Sequence, residues 1–381
     1  MIYVHVPFCR SFCTYCGFYS EICSRTEPQQ VQNRFFNDYA DALCDEIAAR
    51  RAEIGAPDTL YIGGGTPSVV PLEVLERIVR ALGPATYEEF TVEVNPEDVA
   101  AGGAPYVAAL RRLGVNRVSM GVQSFDDGIL RWMNRRHDAA RAREAFRMLR
   151  AGGFDNISID LIFGLSQLTD DLWEGTVREA LALGPEHISA YQLSIEEDCA
   201  LERMVEEGRY VEASEEQCRG QYDTLCRLLA EAGYTHYEIS NWALPGREAV
   251  HNSAYWRRVP YVGLGPGAHS FSTISGYGVR SWNSQELARR DGDGKLRRWS
   301  SASETLSAQE AAEETIMLAL RTARGLPLAQ LRALSPAAPI DALLAEGALQ
   351  LIQDPSGPWI RIPEDHFFVS DSIIPRLFPA G

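Results

Sequence analysis

Short runs of β-branched and aromatic residues alternate with amphipathic stretches from the N-terminus to about residue 233. IYVHV near residue 2, TLYIGGG near 59, FTVEVN near 90, RVSMGVQ near 117, ISIDLIFG near 157 and ISAYQLS near 188 each have the length and composition of a strand. Between them, apolar residues recur at helical spacing around 34–54, 71–82, 105–113, 138–151, 170–183 and 214–232. Six strands alternating with helices predict parallel βα units with right-handed crossovers, in an α/β fold that is either an open doubly wound sheet or a full or partial barrel. Beyond residue 233 the rhythm changes to Gly, Pro and aromatic residues, as in PYVGLGPGAHSF at 260–271, and helical segments return from about 306. The stretch 310–326 predicts a helix ended near Gly325, and the tail from 340 predicts a small α+β unit.

At 381 residues the chain has room for two or three domains, and 45% hydrophobic with 23% charged residues suits a folded core. Lys and Arg total 36 against 52 Asp and Glu, a net charge of −16 that would repel a phosphate backbone and argues against a nucleic-acid partner. The N-terminus has no basic segment followed by a long apolar one, and no run approaches the roughly 18 apolar residues of a spanning helix. A cytoplasmic, reducing compartment is therefore expected, where the eight cysteines are buried thiols or metal ligands. Cys23, Cys44, Cys199, Cys218 and Cys226 are scattered without ligand spacing and read as structural.

The other three form Cys9-x3-Cys13-x2-Cys16, directly after the first strand, so that one tight loop carries all three thiols. Soft thiolates suit an iron–sulfur cluster, zinc or Cu(I). A structural zinc site wants a fourth ligand, and no further cysteine follows at ligand spacing; position 18 is Phe. Three thiolates on a four-iron cluster leave one iron open, while zinc binding or an inert cysteine cluster stands as the plainer alternative. Polar and glycine-rich signals recur where the later strands end, the edge at which parallel βα folds build their sites. They are Gly63-Gly64-Gly65-Thr66-Pro67 after strand two, Glu93 on strand three and Gln123 on strand four, with Arg135 downstream and Asp160 in strand five. The glycine run lacks the Lys of a phosphate-binding loop. Each of these residues taken singly reads as an ordinary surface or capping group; their shared placement points to a site.

At these residues the sequence HVPFCRSFCTYC, then YIGGGTP, VEVNP, GVQSF, NR and IDLIFGL, resembles the radical SAM branch that contains oxygen-independent coproporphyrinogen III oxidase and the HemW-type heme chaperones. The resemblance implies a partial (β/α)6 barrel over residues 1–233, a connecting segment over 234–305 and a smaller C-terminal α+β domain over 306–381. It makes Cys9, Cys13 and Cys16 the ligands of a [4Fe–4S] cluster whose open iron chelates S-adenosylmethionine, with Tyr15 nearby. Tyr3, Gly64, Gly65, Thr66 and Glu93 match contacts to that cofactor, and Gln123, Arg135 and Asp160 match contacts to a second molecule of it in the oxidase branch. A reduced cluster could pass one electron to the sulfonium, cleaving it to methionine and a 5′-deoxyadenosyl radical.

Two departures separate the chain from the oxidase: Phe18 stands where the oxidase motif resembles CxxxCxxCxC, and only eight residues precede Cys9. The HNxxYW motif of the HemW-type branch is intact at 251–256, which implies His251 as an axial heme ligand flanked by Tyr255 and Trp256. The expected function is a heme chaperone that binds heme and hands it to an apo-hemoprotein, with a flavodoxin or ferredoxin as reductant. The alternatives are oxidative decarboxylation of coproporphyrinogen III and a plain iron–sulfur or zinc protein. Peripheral membrane contact is left open, though no basic amphipathic helix is evident.

Overall fold

A computed structural model of the protein describes residues 1–23 and 28–379. The six expected strands form: β1 (Ile2–Val6), β2 (Thr59–Gly64), β3 (Glu89–Val94), β4 (Arg117–Gln123), β5 (Ile157–Phe163) and β6 (His187–Gln192). They lie side by side in chain order and every neighbouring pair is parallel. On one face of each strand the residues are apolar, and Val4, Ile62, Val92, Val118, Met120, Ile159 and Leu161 are all buried, while polar residues such as Glu93, Ser119 and Asp160 alternate with them on the other. Outer cover comes from α1 (Gln29–Ala49), α2 (Leu72–Leu82), α3 (Pro96–Arg112), α4 (Ala139–Ala151), α5 (Asp170–Leu183) and α6 (Glu215–Glu231). This is the partial (β/α)6 barrel.

The sheet continues beyond residue 233. Short strands β7 (Thr235–Glu238) and β8 (Asn241–Ala243) extend it past β6 as antiparallel additions, and β9 (Val262–Leu264) pairs in parallel with β1 at the other edge. Between them sits α7 (Val250–Trp256), which carries the HNxxYW motif. A three-stranded antiparallel sheet follows: β10 (His269–Ser272), β11 (Val279–Asn283) and β12 (Ser301–Thr305). The C-terminal unit is α+β. It contains α8 (Ala308–Leu320), β13 (Leu326–Pro327), α9 (Leu328–Leu334), α10 (Ala337–Ala345), β14 (Gln350–Asp354) and β15 (Gly357–Arg361), its three strands ordered β13-β15-β14.

Two helix boundaries differ from expectation. Helix α3 begins at Pro96, not near 105, because Asn95 accepts a hydrogen bond from the Glu97 N–H at 3.0 Å and Pro occupies the first turn. Gly103 (φ 60°) then breaks it into two pieces, only the second of which shows helical periodicity in the sequence. Helix α8 starts on a capping box, Ser307 with Glu310, and ends at Leu320, before the expected stop. Gly325 (φ +68°) instead opens β13, where an added Cβ would fall 2.0 Å from the Ile360 carbonyl oxygen. Among the described residues no helix is long and apolar enough to cross a membrane.

Candidate functional site

The C-terminal ends of β1–β6 open on a cavity of about 550 Å³. The cysteine loop forms one wall and is held by backbone bonds at both ends. Gly65 N–H donates to Val6 O at 2.8 Å and Thr66 N–H to Phe8 O at 2.7 Å, which lays the loop start on the glycine run. Thr14 N–H donates to Met133 O at 3.1 Å, and Asn134 Nδ2 to Phe12 O at 2.7 Å, which moors the middle of the loop to the segment after β4. Beneath it, buried His5 places Nε2 3.0 Å from Tyr19 O and Nδ1 2.9 Å from the Tyr3 hydroxyl.

Cys9, Cys13 and Cys16 all line the cavity, and no other Cys and no His does so. Their sulfurs do not all lie within 4.8 Å of one another, a criterion met among the described residues by Cys226, His236 and Glu364. A tetrahedral zinc with Zn–S near 2.3 Å would draw its sulfurs to roughly 3.8 Å apart. A wider three-thiol set with no fourth Cys or His fits a cluster with one open iron better than it fits a structural zinc site. Burial pushes the Cys16 thiol up to about 11 and raises Cys9 as well, so iron must displace protons to bind. The Arg135 guanidinium counters this: Nη1 donates to Cys13 Sγ at 3.3 Å and Nη2 to Gly121 O at 2.6 Å, setting a fixed positive charge beside the thiols. Thr66 Oγ1 lies 3.4 Å from Cys9 Sγ.

The adjoining wall is the glycine run with Glu93. Glu93 Oε1 accepts from the Tyr61 hydroxyl at 2.7 Å and Oε2 from Gly64 N–H at 3.1 Å. Desolvation lifts this carboxyl to about 7, with nearby Asp160 adding to the rise and the Tyr61 hydrogen bond opposing it. Gly64 has φ +111°, and a Cβ there would meet the His5 ring at 2.6 Å. Gly64→Ala is therefore expected to cost about 1–3 kcal/mol of stability, measured by denaturant unfolding. Deeper in, the Ser119 hydroxyl shares its one proton between the two Asp160 carboxylate oxygens, each 3.2 Å from Oγ, and burial raises the pKa of Asp160. Gln123 (φ 69°) and Arg135 complete the floor.

Of the residues expected from sequence, Cys9, Cys13, Tyr15, Cys16, Gly64, Gly65, Thr66, Glu93, Gln123, Arg135 and Asp160 converge on this cavity. Tyr3 lies behind the wall and touches His5 and Tyr61. Phe18 lines the cavity's rim and is 74% exposed. His251 is brought elsewhere and needs correction as an accessible imidazole. It is fully buried, with Nδ1 2.7 Å from Thr59 Oγ1, Nε2 2.9 Å from the Tyr255 hydroxyl and the Tyr61 ring packed against it. Burial lowers its pKa to about 3. Both nitrogens are taken, so this geometry presents no ring nitrogen to iron; its neighbour Asn252 is the motif residue that reaches the cavity.

Sequence reasoning missed much of the lining, including Tyr61, Arg117, Ser119 and Ser189 on the strands. For the last three the signal is period-two alternation: Arg117 and Ser119 share a face with Gly121 and Gln123, and Ser189 with Tyr191, whereas Tyr61 lies three before Gly64 and shows no such spacing. It also missed the juxtaposition of Cys226 on α6, His236 on β7 and Glu364, where His236 Nδ1 lies 3.1 Å from Glu364 Oε1.

A model of the radical SAM superfamily matches residues 3–180. The heme chaperone HemW of Synechocystis sp. is 33% identical over 344 residues, covering 86% of this chain and 79% of that protein. The heme chaperone HemW of Mycobacterium tuberculosis is 33% identical over 357 residues, covering 91% and 88%. Among solved structures, coproporphyrinogen III oxidase from Escherichia coli superposes with a TM-score of 0.76 at 21% identity, over 98% of this chain and 89% of that one, which is a likeness of fold.

Proposed function

The chain belongs to the HemW heme-chaperone family of the radical SAM superfamily, and from that premise we propose that it binds heme and transfers it to an apo-hemoprotein while carrying a [4Fe–4S] cluster and S-adenosylmethionine. The observation that carries the cofactor part is the cavity of three thiols without a fourth Cys or His. In this reading Cys9, Cys13 and Cys16 hold the cluster. S-adenosylmethionine would bind beside it against Gly64, Gly65 and Glu93, and a flavodoxin or ferredoxin would serve as reductant. When bound, the pair provides one-electron chemistry at the sulfonium.

The chain's own residues bind and orient. Gly64 and Gly65 let backbone groups approach the cofactor, where a side chain would collide with His5 or Phe8. Glu93, aimed by Tyr61, accepts from ribose hydroxyls. Arg135 offsets the negative charge of the thiolates, and Tyr15 covers the cofactor from the loop. Gln123 and Asp160 form the deeper subsite, and Tyr3 acts through His5 as a positioning residue. His251 contributes to heme binding by tying α7 to β2 through Thr59. The division at residues 233 and 305 belongs to the same proposal, the first part bearing the cluster and the later ones the cargo.

Anaerobic titration of the reconstituted protein with heme, run beside a coproporphyrinogen III turnover assay, tests this reading. Saturable heme binding with no protoporphyrinogen product is expected. Turnover without stable heme binding would return the chain to the oxidase class.

A further inference from the structure

Helix α7 borders a second cavity, of about 670 Å³, that shares no lining residue with the first. It lies between β7, the last turns of α7 and the C-terminal unit at α8, β13 and β15. Ser253, Trp256 and Arg257 of the α7 segment line it at i, i+3 and i+4 spacing, the arrangement that puts three side chains on one helical face. Its volume falls within the roughly 300–1,000 Å³ typical of sites for molecules of cofactor size.

Its chemistry is distinctive in a chain of net charge −16. Three guanidinium groups, Arg257, Arg258 and Arg324, line it against one carboxylate, Glu248. Arg258 is engaged, its Nε donating to Glu314 at 2.9 Å. Among the described residues Arg257 and Arg324 make no close ion pair; the Arg324 guanidinium lies 4.5 Å over the Trp359 ring, and its acidic influence is the Asp354 carboxylate. Trp256 and Tyr237 add aromatic surface. Flat apolar faces beside two unpaired bidentate donors complement a planar aromatic molecule that carries carboxylates.

We propose, resting on the heme-carrier reading, that the heme cargo sits in this second cavity, its ring against Trp256 and its two carboxylates on Arg257 and Arg324. No His or Cys lines the cavity, and the Tyr237 hydroxyl is already 2.7 Å from His187 Nε2. Recognition is therefore of the macrocycle and its carboxylates, with no imidazole or thiolate on the iron. A cargo held this way leaves its iron for the ligand that an apo-hemoprotein offers, which suits transfer.

Equilibrium titration of the full-length, cluster-loaded protein with heme and with metal-free protoporphyrin IX tests the site, in wild type and in the double variant Arg257→Glu, Arg324→Glu. Both arginines are exposed, so the fold is expected to survive, and circular dichroism checks it. The wild type should bind both ligands. The double variant should bind each about a hundredfold more weakly, at about tenfold per lost charge-assisted contact. Wild-type heme binding that the double variant leaves intact, or a metal-free porphyrin that does not bind at all, overturns this site and leaves the carrier reading standing. Failure of the wild type to bind heme overturns both.

Discussion

Replacing Cys13 with alanine is expected to abolish cluster assembly almost completely, read as loss of iron and sulfide and of the visible absorption after anaerobic reconstitution. The argument is one of ligand number. The cavity offers three thiols and no fourth Cys or His, so nothing nearby can substitute for a lost sulfur. Cys13 is also the thiol that accepts from Arg135, so its loss strands that guanidinium without the partner it is aimed at. Serine is expected to do no better than alanine, since a hard hydroxyl is a poor ligand for soft iron–sulfur sites. The fold should persist, because the loop is moored by backbone bonds at Thr14 and Thr66 that do not involve the thiol. The informative control is Cys226→Ala, which removes the sulfur from the other metal-competent triad, with His236 and Glu364. It is expected to leave cluster content unchanged. The reverse pattern, iron lost with Cys226 and kept without Cys13, would move the metal centre to that triad.

The strands that position this loop are legible because each is a short β-branched run in which apolar and polar positions alternate, as in RVSMGVQ and ISIDLIF. β7, β8 and β9 are not, since they are three or four residues long and set among Gly and Pro. Helix α3 hides its first half for a related reason: AGGAP looks like punctuation, and the structure does place a break at Gly103, but it lies inside a helix that Asn95 has already capped. The thiol ligands are legible because they are neighbours in sequence. Arg117, Ser119 and Ser189 share a period-two face with other lining positions, but which of a strand's two faces turns to the cavity is set by how the sheet closes, which local pattern does not write. The HNxxYW motif shows the limit most clearly. Its presence marks the family, yet the direction each side chain takes comes from packing: His251 and Tyr255 turn to the interior, Asn252 to the barrel mouth and Trp256 to the second cavity.

Glu93→Gln is expected to separate stability from cofactor binding as pH changes. The carboxyl titrates near 7 in the folded protein, above its ordinary range, chiefly because it is desolvated at the cavity wall. Between about 4.5 and about 7 the folded state keeps a proton that the unfolded chain has released, so this group makes stability fall as pH rises through that window and level off above it. Glutamine removes the penalty without leaving an orphan. The Tyr61 hydroxyl can turn to accept from the new amide, while Gly64 N–H donates to the remaining oxygen. The variant should therefore match wild type at pH 5 and exceed it by up to about 3 kcal/mol at pH 8 in denaturant unfolding. Glu238, raised to about 7 by its own burial, gives both proteins a common slope, so the difference between them reports Glu93 together with its coupling to Asp160. S-adenosylmethionine binding should respond the opposite way. Ribose hydroxyls donate best to the ionised carboxylate, so wild-type affinity in equilibrium dialysis should climb from pH 6 to 8, while the glutamine variant binds more weakly and with a flatter profile. Equal stability at pH 8 would mean that the carboxylate is not penalised where it sits, and an unchanged affinity profile would remove Glu93 from the ribose.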